Sequence, residues 1–139
     1  MVNVVTWLAR DSRRLEALLE VIDRYVASGD LTTARDAFTH FDQRLRARIR
    51  IEEEVVFPMA EKAVQDPRFG ATARMKREHL VLLDLLAAVE EGFSSRQGLQ
   101  ADLQELRAAA RVHFRAEHEA LGPILAAIHP DTAVEQLFT

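Results

Sequence analysis

Apolar residues recur at alternating spacings of three and four along four stretches of the chain, the period of an amphipathic helix. The first stretch carries Val5, Leu8, Leu15, Leu19, Ile22 and Val26, and the second carries Phe38, Phe41, Leu45, Val55 and Met59. Met75, Leu82, Leu86, Val89 and Phe93 form the third, and Leu103, Leu106, Ala110, Ala120, Ile124 and Ile128 the fourth. Ser28-Gly29-Asp30, the segment from Gln65 to Gly70, a loop containing Gly92 and Gly98, and His129-Pro130-Asp131 interrupt or end the pattern. The periodicity predicts helices over about 3–28, 32–65, 71–93 and 98–128 in a single domain spanning 1–139, with a short tail after them. Trp7 and Tyr25 read as packing residues of the first helix. Short connections and one apolar stripe per helix point to an all-α fold, an antiparallel up-down four-helix bundle.

Every stripe is broken by polar residues at core positions: Ser12 in the first, Arg48 and Glu52 in the second, His79 in the third, His113 and Glu117 in the fourth. Counted from the turn of each hairpin, the breaks lie at similar heights, to within about two helical turns. Within each hairpin they therefore face one another; the irregular connection from the second helix to the third does not allow the same count between hairpins. A buried carboxylate without a partner costs several kcal/mol, so Glu52 and Glu117 require a cation.

The two hairpins also resemble each other. At an offset of 65 residues Arg48-x-Arg50-x-Glu52-x-Glu54 and Pro58 lie over His113-x-Arg115-x-Glu117-x-Glu119 and Pro123, and at an offset of 67 Asp11-Ser12, Leu15 and Leu19 lie over Glu78-His79, Leu82 and Leu86. Each hairpin contributes one position X on its first helix and X-x-x-x-Glu on its second, and the i, i+4 spacing puts that pair on one face. Both X positions are histidine in the second hairpin, His79 and His113; in the first they are Ser12 and Arg48. Two such half-sites facing each other suit a dimetal centre. Only one of them keeps its imidazoles here.

Composition narrows the chemistry. There is no cysteine among the 139 residues, so any metal must be held by nitrogen and oxygen. The net charge of −4 provides no electrostatic footprint for nucleic acid or an anionic membrane. No apolar run approaches the roughly 20 residues of a membrane span. The apolar residues at the N-terminus precede the basic ones, the reverse of a signal peptide, so a soluble, cytoplasmic protein is expected. No nucleophile elbow, phosphate loop or basic stripe is present.

Asp11-Ser12-Arg13-Arg14-Leu15, Arg48-x-x-x-Glu52-Glu53-x-x-Val56-Phe57-Pro58, Glu78-His79 and His113-x-x-x-Glu117-x-x-x-Leu121-x-Pro123 carry a resemblance over nearly the whole chain. Together they resemble the hemerythrin-like, HHE-type cation-binding domain. That resemblance implies a bundle holding two irons in its interior, used for dioxygen binding, iron storage, or sensing of oxygen and nitric oxide. The family would have histidine at positions 12 and 48. Four of its six ligands are present, and the two missing ones serve the same iron, so a complete di-iron centre is not expected.

The expected ligand set is thus His79, His113, Glu52 and Glu117, which suits one divalent ion such as Fe, Mn, Zn or Ni. The alternative is a metal-free bundle in which the same groups hydrogen-bond to one another and to Arg48. Arg48 can pair with Glu52 and Glu117 in place of a metal ion, or its stem can line the core while its head reaches solvent. Ser12 leaves room for the guanidinium or bonds the preceding turn. His40, His118 and His129 lie off the seams, His118 being a candidate for an outer role beside Glu117. Of the run Glu52-Glu53-Glu54, only Glu52 is expected to point inward. The functional expectation is a metal-binding or sensing module with a metal ion, and a small gaseous ligand, as partners. An iron-dependent oxidase or peroxidase ranks below it, because nothing in the sequence shows a substrate pocket.

Overall fold

A computed structural model describes residues 3–128. The helices are α1 (Val4–Ala27), α2 (Leu31–Ile51), α3 (Phe57–Val64), α4 (Ala71–Ser95) and α5 (Leu99–Ala127), and a π-helical turn, Glu52–Val56, joins α2 to α3 without a break. There are thus four rods, and no strand among the described residues. α1 packs on α2, α2 on α4, α4 on α5 and α5 back on α1, closing the ring of an up-down bundle. No described helix is long and apolar enough to cross a membrane.

Local chemistry sets the ends. Asn3 Oδ1 accepts from Thr6 N–H at 2.8 Å and Asp30 Oδ1 from Thr33 N–H at 3.2 Å, capping α1 and α2. Gly29 turns the chain at φ +84°, in the left-handed region open to glycine. Gly92, expected in a loop, is instead buried inside α4, where a Cβ would come within 2.9 Å of the Leu99 Cα; its absence lets α4 and α5 touch at their turn. The tail, together with the expected stop at His129-Pro130-Asp131, lies outside the described residues.

The π turn corrects the predicted register. Its i→i+5 bonding inserts one residue into the helix, so the buried positions after Glu52 are Val56, Phe57 and Ala60, while Val55 and Met59 are half-buried. In α5 the buried row continues from Glu117 through Leu121 and Leu125, leaving the expected Ala120, Ile124 and Ile128 half-buried. Val4 replaces Val5 as the buried residue at the start of α1, and Tyr25 is exposed rather than packed.

The core is divided. One apolar cluster, built around Leu15, Leu19, Phe38, Phe41, Leu86 and Leu106, fills the end near the α1–α2 turn. Another, with Val4, Leu8, Val56, Phe57, Met75, Leu121 and Leu125, fills the opposite end. Between them lies a polar layer of Arg48, Glu52, His79, His113 and Glu117, each at most 3% exposed.

Candidate metal centre

The half of this layer carried by α4 and α5 is built around two imidazoles, whose ring centroids are 4.9 Å apart. Each is held from behind by a carboxylate. His79 Nδ1 lies 2.6 Å from Glu53 Oε2, and His113 Nδ1 lies 2.7 Å from Glu78 Oε1. An ionised carboxylate only accepts, so it fixes the proton on Nδ1 and turns the Nε2 lone pair inward. Inward, His79 Nε2 meets Glu52 Oε1 at 3.1 Å and His113 Nε2 meets Glu117 Oε2 at 3.2 Å. Phe57 stacks on His79 at 5.5 Å between centroids, further restraining that ring.

The half carried by α1 and α2 is built around a guanidinium. Arg48 Nη1 donates to Asp11 Oδ2 at 2.8 Å and to the Leu8 carbonyl at 3.3 Å; Nη2 donates to Glu117 Oε1 at 2.8 Å and to Ser12 Oγ at 3.0 Å. Ser12 passes its own proton to the Leu8 carbonyl at 2.9 Å, so it both makes room and bonds the preceding turn. Phe114 lies under the guanidinium at 5.0 Å. Arg48 is 2% exposed, so its head stays in the core and does not reach solvent. The internal duplication extends to these contacts. Asp11 against Arg48 occupies the place that Glu78 against His113 occupies in the other hairpin.

Glu52 and Glu117 join the halves. Each directs one oxygen to an imidazole and the other toward Arg48, whose Nε is 3.5 Å from Glu52 Oε2. Burial pushes the Glu52 carboxyl well above its usual 4.5, and the facing Glu117 carboxylate adds to this against the pull of Arg48. Glu117 goes the other way: burial alone would raise it, but the close approach of Glu52 and His113 and the charge of Arg48 hold it well below 4.5. The two facing carboxyls are therefore displaced in opposite directions, Glu52 upward and Glu117 downward. Burial disfavours charge on His113, yet the adjacent Glu117 carboxylate and the bond to Glu78 outweigh this and raise it above 6.5. Burial acts in the same sense on Arg48 and is overcome by Glu52, Glu117 and Asp11, so the guanidinium stays charged.

The donor set fits a metal ion. Glu52, His79, His113 and Glu117 each offer one ligand atom, and these atoms lie within 4.8 Å of one another. Glu52 Oε2, His113 Nε2 and Glu117 Oε2, together with Arg48 Nε, are buried without a hydrogen-bond partner among the described residues. The contacts of Glu52 Oε2 with Arg48 and of His113 Nε2 with Glu117 Oε2 are close enough for ion pairing but lack hydrogen-bond alignment. Adjacent ligands on an ion with bonds of about 2.0–2.1 Å stand about 2.9–3.4 Å apart, whether tetrahedral or octahedral. The two imidazole–carboxylate separations already fall in that range.

The structure brings all six residues of the broken stripes into one layer. It also places there three acids that the sequence reading passed over. Glu53, expected on the helix face, is turned toward His79 through the π turn, while Glu78 and Asp11 reach in from α4 and α1. The signal for the last two was present, since Asp11 and Glu78 immediately precede matched positions of the duplication. His118 is exposed and borders a cavity of about 20 Å³, room for one water, that runs between α1 and α5 to Ser12, Arg48 and Glu117. His40 is exposed, and His129 lies outside the described residues.

A helical bundle with a buried His and Glu cluster at its waist is the architecture of an interior cation site. Residues 3–125 match the hemerythrin HHE cation binding domain, and the chain belongs to that family. Comparison with curated proteins and with solved structures finds no match.

Proposed function

We propose that this chain is a metal-binding or sensing module that holds one divalent ion, Fe, Zn, Mn or Ni, on His79, His113, Glu52 and Glu117. Arg48 supplies the positive charge that a second ion would supply in a symmetric centre. The observation that carries this reading is the convergence of unpartnered buried atoms from Glu52, His113 and Glu117 beside two imidazoles braced by carboxylates. Buried atoms left unpartnered cost about 1–3 kcal/mol each. A divalent ion removes that penalty at one stroke and supplies a Lewis-acidic centre able to accept a small gaseous ligand.

Elemental analysis of protein purified without chelator, and after loading with each metal separately, tests the proposal. One equivalent per chain, lost in His79→Ala and in His113→Ala, is expected. Two equivalents, or none under every loading condition, overturns it. A sensing role adds that nitric oxide changes the visible spectrum of the Fe(II)-loaded protein. The competing reading is a metal-free scaffold, and the four hydrogen bonds of Arg48 favour it. It predicts a melting temperature of the wild-type protein that no divalent metal changes.

A further inference from the structure

The outward face of α4 is unusual for a solvated helix. Leu80 and Val81 are 63% and 54% exposed, side by side at the middle of the helix, with Ala73, Ala87 and Ala88 on the same face above and below them. Arg77 precedes this pair by one turn and Asp84 follows it by one turn, and both are exposed. Neither makes an ion pair or hydrogen bond among the described residues, although Arg74 on the same helix is paired with Glu78. They lie seven residues apart, about 10 Å along the axis, too far to satisfy each other. Farther out, α4 begins at Gly70 with no side-chain cap and no acid in its first turn, while Glu91 is exposed near its other end and has no partner among the described residues.

These features complement themselves when the helix is reversed. We propose that the α4 face is a self-association surface on which a second copy of this chain docks its own α4 antiparallel, with the twofold axis between Leu80 and Val81. In that register Leu80 of each copy meets Val81 of the other across the axis, and Arg77 of each copy stands opposite Asp84 of the other. Glu91 of each then stands opposite the uncapped N-terminus of α4 of the other, where a carboxylate is favoured by the helix dipole. The alanines allow close approach of the two backbones. A twofold contact must be self-complementary, and here both the charges and the apolar pair satisfy that condition. A parallel arrangement would set arginine against arginine. The contact is one helix pair and sits at the small end of specific interfaces, so a concentration-dependent dimer is expected.

Sedimentation equilibrium of the full-length chain from about 10 μM to about 1 mM tests this, a range suited to a small interface. The wild-type protein is expected to show a monomer–dimer equilibrium. Asp84→Arg and Arg77→Asp, which each place like charges across the axis, are expected to weaken it at least about tenfold. The double variant Arg77→Asp/Asp84→Arg is expected to restore it, because the reversed pair is again complementary. All substituted positions are exposed, and unchanged helical circular dichroism checks that the variants remain folded. A wild-type protein that stays monomeric over the whole range, single variants that associate as tightly as wild type, or a double variant no better than the singles overturns the proposal.

Discussion

Arg48 occupies the centre of the polar layer, and its replacement shows what a buried charge is worth in this protein. Arg48→Met keeps much of the volume but leaves Glu117 and Asp11 facing an apolar side chain. Breaking a buried pair by removing one partner typically costs about 3–5 kcal/mol. A loss of that size in urea denaturation is expected, partly recovered by added Zn(II), because a metal ion can supply the missing positive charge. Glu53 and Glu78 act on the imidazoles from outside. Glu53→Gln and Glu78→Gln keep the shape and remove the charge, so each is expected to weaken metal binding about 10–100-fold in a competition titration with little change in fold. The inward positions were readable as polar breaks in apolar stripes. The outer acids were harder to read: Asp11 and Glu78 are marked only by their place in the duplication, and partly exposed Glu53 looks like an ordinary surface residue until its contact with His79 is known.

At the scale of the elements, the hydrophobic period located the four rods because each has only one face to bury. It failed where two backbone solutions share a pattern. A π turn and an α turn differ by one residue, and Glu52-Glu53-Glu54-Val55-Val56 carries no marker of which one forms. The consequence is functional as well as geometric, since the wider turn accompanies the inward placement of both Glu52 and Glu53. Gly92 was misread for the converse reason: glycine usually signals a turn, but here it signals contact between two helices. Gly92→Ala therefore tests the α4–α5 junction. The added methyl must displace Leu99, at about 1–3 kcal/mol, while alanine's helix propensity returns up to about 1 kcal/mol. A net loss of about 1–2 kcal/mol in chemical denaturation is expected.

For the whole molecule, the pseudo-twofold relation of the hairpins predicts how a second centre could be rebuilt. Ser12→His with Arg48→His restores imidazoles at both altered positions, between the same two bridging carboxylates and next to Asp11. Metal uptake is expected to rise from one to two equivalents per chain, measured by elemental analysis; unchanged stoichiometry would contradict the assignment of these positions. Protons enter the same balance. Glu52 and His113 both have raised pKa values in the folded chain, so each binds its proton more tightly folded than unfolded. Their contribution to the metal-free protein is fully present below the unfolded values of 4.5 and 6.5 and is lost as pH rises through the folded values. Glu117, depressed, behaves oppositely: its contribution is present above 4.5 and is lost as pH falls through its folded value. A metal must displace the protons on Glu52 and His113. Calorimetry in buffers of different ionisation enthalpy is therefore expected to show proton release on loading, and an affinity that rises with pH.

The guanidinium at the waist of the bundle has one further consequence. A metal ion can be stripped by a chelator or be missing when supply is short, whereas a charge that is covalently part of the chain cannot leave. Arg48 already neutralises much of the carboxylate layer. Under the proposed function, starvation for metal is therefore expected to empty the site without unfolding the protein, so that occupancy would follow supply reversibly.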